Sequence, residues 1–356
     1  MDEALSARTA AGVSVGIPRT LFYYTYFPMW KRFFAELGAQ VVASGHTSKQ
    51  ILDDGVRVAV TDACVPVKVM HGHVLDLVAK KVDFLFLPRV VCTNRRTVYC
   101  PKFLGLPDMI RSSVRDLPRL IDVRFDARAG RLELLRAAFK VGRLFTGNKL
   151  RILRALGHSL TDLRRYKRLL VSGLGPQAAM GALERQTGGQ ATGGLRFAVV
   201  GYPYIVHDRY LSLDLLGKLR RLGVEPVTVE MVPPRELSAC QVLRKDLFWT
   251  YSDEAVRAAH YYLERPEEID GLIHLTAFGC GPDSVVDKVI ELMAKKRQAV
   301  PFMSLMIDEH TGEAGLMTRL EAFTDLVRRR KRRGAAERAG AAKEASSGVS
   351  GIASLG

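Results

Sequence analysis

A short β-branched run followed by a helix recurs along this chain, and that rhythm restricts the possible folds more than any other feature. VSVGI (13–17) leads into PRTLFYYTYFPMWKRFFAELG (18–38), whose apolar density suits a buried helix ending at Gly38. QVVAS (40–44), the helix-like SKQILDDG (48–55), the run VRVAV (56–60), a helix from about Val65 to Lys80, and DFLFLP (83–88) continue the pattern. It resumes with LRFAVVG (195–201) as a strand, DRYLSLDLLGKLRRLG (208–223) as a helix and VEPVTVEM (224–231) as a strand. GLIHLTA (271–277), the helix-like SVVDKVIELMAKK (284–296) and VPFMSLMI (300–307) complete it. Strands alternating with helices imply parallel sheets with helices on both faces, so the expected class is α/β with two such domains.

Between the two series the pattern changes. Leu/Arg/Ala stretches with helical periodicity, such as RLELLRAAFKVGRLF (131–145) and LRRYKRLLVSGL (163–174), read as a helical insert closed by TGGQATGG (187–194). The expected division is 13–110 for a cysteine-bearing α/β domain, 111–194 for the insert and 195–333 for a second α/β domain. From Gly334 onward the chain is too rich in Ala, Gly and Ser to add a core, and 334–356 reads as a disordered tail.

The formal charge of +16 does not by itself indicate nucleic acid, because of where it falls. Much of it lies between Arg111 and Arg196 and in the run 328–333, where a solvated helical face explains it, and a nucleic-acid partner is not expected. A basic tail can still attract acidic partners weakly. MDEALSARTAAG has no apolar stretch of the signal-peptide kind and no run reaches membrane-spanning length, so the expected location is the cytoplasm.

Five cysteines, an odd number spread over a long chain, suit a reducing compartment and metal chemistry better than a disulfide framework. Three share one context. Cys64 in DACVPVK (62–68), Cys100 in YCPKFLGLPD (99–108) and Cys280 in FGCGPDS (278–284) are each followed within two positions by proline. A proline there turns the chain away and removes a backbone donor, as at the Cys-Pro end of ferredoxin runs. Each is expected beyond the carboxyl end of a strand, Cys64 after VRVAV, Cys100 after DFLFLP and Cys280 after GLIHLTA. Ligands of open α/β sheets bind at that edge, where helix N-termini offer free amides.

Cys64, Cys100 and Cys280 are therefore candidate ligands of one metal centre, an iron–sulfur cluster. Structural zinc usually draws on close pairs such as C-x₂-C, which this chain lacks. The bland alternative is three small buried hydrophobes in a non-catalytic scaffold or regulatory subunit, or structural cysteines that bind zinc. With three thiolates, a fourth iron is left for Cys92, a non-Cys ligand, water or substrate, and Cys92 lies on the same loop as Cys100. Cys240 reads as core filler.

Other residues are weaker candidates. IDEHTGEAG (307–315) places Asp308, Glu309 and His310 after the last strand, either as support for the cluster or substrate, or as a helix start capped by Thr311 with Glu313 nearby. His71 and His73 would point to nearly opposite faces of a helix, one to the surface and one to the core. GYPYIVHDRY (201–210), with His207 and Asp208, links a strand to a helix at the same edge. No Walker loop, no G-x-G-x-x-G after a strand and no G-x-S-x-G elbow is present.

GIPRTLFYYTYFPMWKRFFAELGAQVV, DACVPVKVMHGHVLDL, VDFLFLPR, CPKFLGLPD, FGCGPDS and IDEHTGEAGLMTRLEAF together resemble the acyl-CoA dehydratase activase-related proteins. These are relatives of the 2-hydroxyacyl-CoA dehydratase subunits and double-cubane cluster proteins. The resemblance runs in order from about Val13 to Arg330. It implies two flavodoxin-like (Rossmann-like) domains and a [4Fe-4S]-type or double-cubane centre near their interface, with Cys64, Cys100 and Cys280 matching the cysteine motifs. It further implies low-potential electron transfer fed by a separate ATP-dependent activase or reductase, a homo- or hetero-dimer, and a small-molecule or acyl-CoA substrate. The fused nucleotide-binding glycine loops of some relatives are missing here, so this chain is not expected to hydrolyse ATP itself.

Overall fold

In the computed structural model, residues 12–349 are described, other than 95, 186–193 and 244–246. The first half runs β1 (Ser14–Ile17), α1 (Tyr23–Glu36), β2 (Gln40–Ala43), α2 (Lys49–Val58), α3 (Val65–Ala79), β3 (Phe84–Phe86), β4 (Arg89–Cys92), α4 (Pro101–Ser113), β5 (Arg119–Ile121) and β6 (Arg124–Asp126). Four of its strands form a parallel sheet of order β2-β1-β3-β5, and β4 pairs with β6 beside it. The strand β5 falls inside 111–194, so the first sheet reaches into the stretch expected to be all helical insert.

The run VRVAV is not a strand. Ser48 accepts the Ile51 N–H at 3.3 Å and starts a helix that continues to Val58. Ile51, Leu52 and Gly55 share its buried face, while Val56 and Val60 are 39% and 60% exposed, which a strand inside a covered parallel sheet would not allow. Cys64 is consequently reached from a helix and a turn rather than from a strand end. The next helix, α3, is buried on nearly every face, so His71 and His73 are both inside, contrary to the surface position expected for one of them. His71 Nδ1 lies 2.7 Å from the Val67 carbonyl, and His73 bonds Ser44 and Thr47.

The middle of the chain is helical: α5 (Arg131–Gly142), α6 (Lys149–Val171) and α7 (Pro176–Arg185). The long helix α6 packs on α1, where the Tyr166 hydroxyl donates to the Tyr24 carbonyl at 2.6 Å and Arg151 donates to that of Glu36 at 2.9 Å. The insert is thereby docked on the first half.

The second half contains β7 (Leu195–Gly201), α8 (Pro203–Val206), α9 (Leu215–Arg221), β8 (Val224–Thr228), α10 (Pro234–Ala239), α11 (Thr250–Leu263), β9 (Gly271–Ala277), α12 (Gly281–Arg297), β10 (Phe302–Ile307) and α13 (Glu313–Val349). The helix expected over 208–223 is confined to α9, because the Asp208 carboxylate accepts the N–H groups of Tyr210 and Leu211 and holds a turn ahead of it. All strands of its sheet are parallel, in the order β8-β7-β9-β10. Each half thus carries its first strand in second place and its third strand beside it, the flavodoxin-like order. The fold is α/β with two flavodoxin-like parallel-sheet domains.

The helix α13 continues to Val349, past the boundary set at Arg333; the Ala, Glu, Lys and Arg of AAERAGAAKEA are strong helix formers. Residues 350–356 lie outside the described residues. No helix among the described residues is long and apolar enough to cross a membrane.

Candidate metal centre

Cys64, Cys100 and Cys280 occupy one structural position three times over. Each is the N-cap residue of a helix, α3, α4 and α12 respectively, with a proline at the first or second helical position: Pro66, Pro101 and Pro282. Proline costs nothing there, since the N–H it removes has no partner within the helix. The cysteine carbonyls accept the first helical bonds, from Val67 at 2.9 Å, from Phe103 at 2.9 Å and from Ser284 at 3.1 Å. The side chains make no capping bond and remain available. The N–H groups of Lys102 and Asp283 lie close enough to Cys100 and Cys280 to favour negative charge on sulfur.

The three thiols meet at a single buried pocket whose wall also includes Tyr99, Phe103, Tyr202, Tyr204 and the segment 249–252. Cys64 and Cys100 come from the first half, and Cys280 comes from the second. Close approach of the halves depends on Gly279, with φ of +77°, where a Cβ would sit 3.2 Å from the Cys64 Cα. A second junction ties the segment at Trp249 to the loop before Cys100. Val98 and Trp249 form a parallel bridge, with Val98 N–H donating to the Phe248 carbonyl at 2.9 Å and Thr250 N–H to that of Val98 at 2.8 Å.

The aromatic wall is cross-braced. Tyr251 stacks edge-on against Tyr99, Phe103 and Tyr204, and its hydroxyl lies 3.0 Å from that of Thr25. Tyr99 pairs with Tyr26 at 2.9 Å, Tyr202 with Ser252 at 2.6 Å and Thr250 with Thr97 at 2.9 Å. Such a wall excludes water and lowers the local dielectric. Burial pushes the Cys100 and Cys280 thiols above their ordinary pKa; Cys64 adds to the effect at Cys100, and Asp283, Cys64 and Cys100 add to it at Cys280. All five cysteines are free.

Cys92 is not part of this wall. It is buried in β4 and its thiol donates to Asp126 at 3.0 Å. Burial and that bond raise its pKa. Cys240 ends α10, half-buried, with its carbonyl accepting from Arg257. Among the described residues no three His, Cys, Asp or Glu side chains gather closely enough to hold one metal ion.

In the turn after β10, Glu309 contacts the helix that Cys64 caps. Its carboxylate pairs at 2.8 Å with Lys68, whose N–H bonds the Cys64 carbonyl at 3.2 Å, and that pairing lowers the Glu309 pKa. Asp308 instead accepts from Thr311 at 2.6 Å and from the His310 N–H at 2.9 Å, closing a local turn with both residues exposed. Thr311 is a donor to that turn, and Glu313 pairs with Lys218 at 2.6 Å. In 201–210 it is Tyr202 and Tyr204 that join the wall, while His207 pairs with Glu230 at 3.1 Å and Asp208 with Thr47.

Behind Cys280 lies a buried polar group that sequence patterns did not single out. His274, in the middle of β9, has Nε2 at 3.3 Å from Asp283 and Nδ1 at 2.7 Å from Asp287, which also accepts from Ser304 at 2.6 Å. The contact with Asp283 is ionic rather than a well-aligned hydrogen bond. Burial alone would lower the His274 pKa, but the two carboxylates outweigh it and raise it to about 9. A folded pKa above the unfolded value of about 6.5 stabilises the fold fully below that pH and loses the benefit as pH rises toward 9. Urea unfolding should show stability falling by up to roughly 3 kcal/mol across that window, with a flatter profile in His274→Gln. Equal slopes in the two proteins would remove the charge assigned to His274.

Residues 14–232 match a family model described as "CoA enzyme activase uncharacterised domain (DUF2229)". The match includes Cys64 and Cys100 and ends before Trp249 and Cys280. No curated protein matches the chain. Because the matched residues are more than half of the 356, the chain belongs to the CoA enzyme activase uncharacterised domain family.

Proposed function

We propose that the pocket between the two α/β halves binds an iron–sulfur cluster of the [4Fe-4S] type through Cys64, Cys100 and Cys280. The observation that carries this reading is the convergence of three free thiols, each at a helix N-terminus, on one buried aromatic-walled pocket. A single zinc ion needs all its sulfur ligands within about 2.3 Å of one atom. No such grouping occurs among the described residues, whereas a polynuclear centre meets each thiolate at a different metal atom. Three helix N-termini favour a negatively charged occupant.

When bound, the cluster supplies single-electron transfer at low potential. The chain's own residues have separate tasks. The three thiolates bind, the amides of Lys102 and Asp283 favour charge on sulfur, and the Tyr99, Phe103, Tyr204 and Tyr251 rings keep water out. With Cys92 held against Asp126, the fourth position falls to a non-Cys ligand, water or a small substrate. Reducing electrons come from a separate ATP-dependent activase or reductase, a reading supported by the lack of a Walker loop in this sequence. They pass to a small or acyl-CoA substrate, or to a dehydratase partner.

Anaerobic purification tests the reading. A brown protein with about four iron and four acid-labile sulfide per chain supports a single cubane, and about twice that a double one. Zinc-loaded or metal-free protein returns the chain to the scaffold alternative.

A further inference from the structure

Within the pocket wall, the segment 249–252 is well satisfied except at one atom. Thr250, Tyr251 and Ser252 bond to Thr97, Thr25 and Tyr202. The Trp249 indole Nε1–H is buried and has no hydrogen-bond partner. Indole nitrogen is a donor only, so its partner must be an acceptor, and a buried donor without one is costly. The bridge between Val98 and Trp249 fixes the backbone of Trp249 opposite a position two residues before Cys100, and its side chain lines the same pocket as the three thiols with Nε1 buried.

We infer that the Trp249 N–H donates to a sulfur of the cluster, which makes Trp249 a positioning residue of the centre; this rests on the cluster reading above. Donors to cluster sulfurs stabilise the reduced, more negative state and raise the reduction potential. The ring also closes the wall, and Trp249→Phe keeps an aromatic there while deleting the donor.

In anaerobically prepared protein, Trp249→Phe is expected to retain iron and sulfide, to shift the midpoint potential to a more negative value, and to lose one exchangeable-proton coupling from the spectrum of the reduced cluster. Leu292→Ala, on the exposed face of α12 and outside the pocket wall, is expected to change neither. An unshifted potential with the coupling intact overturns the inference, as it would if a buried water were the true partner. Should Trp249→Phe lose its iron, wild-type protein labelled with ¹⁵N at its two tryptophans decides: coupling to one indole nitrogen that survives Trp30→Phe supports the inference, and no coupling overturns it. Wild-type protein without iron and sulfide sinks the cluster reading itself, a result separate from an unshifted variant.

Discussion

Serine in place of Cys64, Cys100 or Cys280, one at a time, is expected to lower retained iron and sulfide by at least tenfold, while Cys92→Ser and Cys240→Ser retain both. The exchange of sulfur for oxygen alters the side chain by one atom, so the fold should tolerate it; the buried hydroxyl costs about 1–3 kcal/mol at most. Metal binding is far more sensitive, because even partners of ligands change affinity by about 10–100-fold. At Cys92 the serine hydroxyl can still donate to Asp126, and Cys240 stands away from the pocket wall. Iron, sulfide and circular dichroism measured on all five variants separate ligand loss from unfolding. Equal iron in every variant would end the assignment of the pocket as a cluster site.

The convergence of these thiols was legible because each cysteine carries a local mark, a proline one or two residues on, that also fixes a helix start. Strand and helix alternation then put two of the three at sheet edges. Cys64 arrived at the same pocket by a different route, since short β-branched runs such as 56–60 do not distinguish strand from helix. What was not legible is the wall. Trp249, Tyr251 and Ser252 lie on α11 or at its start; Thr250 is 153 residues along from its partner Thr97, and the role of the segment depends on a backbone bridge that no local pattern encodes. The His274 group was hidden for a related reason: GLIHLTA reads as a continuous buried strand, and the charge of its one histidine is set by carboxylates on α12.

Glycine to alanine inside a helix ordinarily stabilises by about 1 kcal/mol, yet Gly72→Ala is expected to destabilise this protein by about 2 kcal/mol or more. The reason is the crossing of α2 and α3. A Cβ on Gly72 would lie 1.8 Å from the Ile51 carbonyl oxygen, and one on Gly55 would lie 1.9 Å from that of Lys68. The obstacle is backbone, so no rotamer change relieves it and the helices must separate; overpacking of this kind costs about 1–3 kcal/mol, occasionally more, and exceeds the propensity gain. The displacement matters for the site because α3 begins at Cys64 and holds Lys68 against Glu309. A lower urea midpoint should therefore come with reduced iron occupancy. Gly105→Ala in α4, where a Cβ meets nothing within 4 Å, should leave stability unchanged or raise it slightly. If Gly72→Ala matched wild type in both measurements, the two helices would not cross as closely as Cys64 requires.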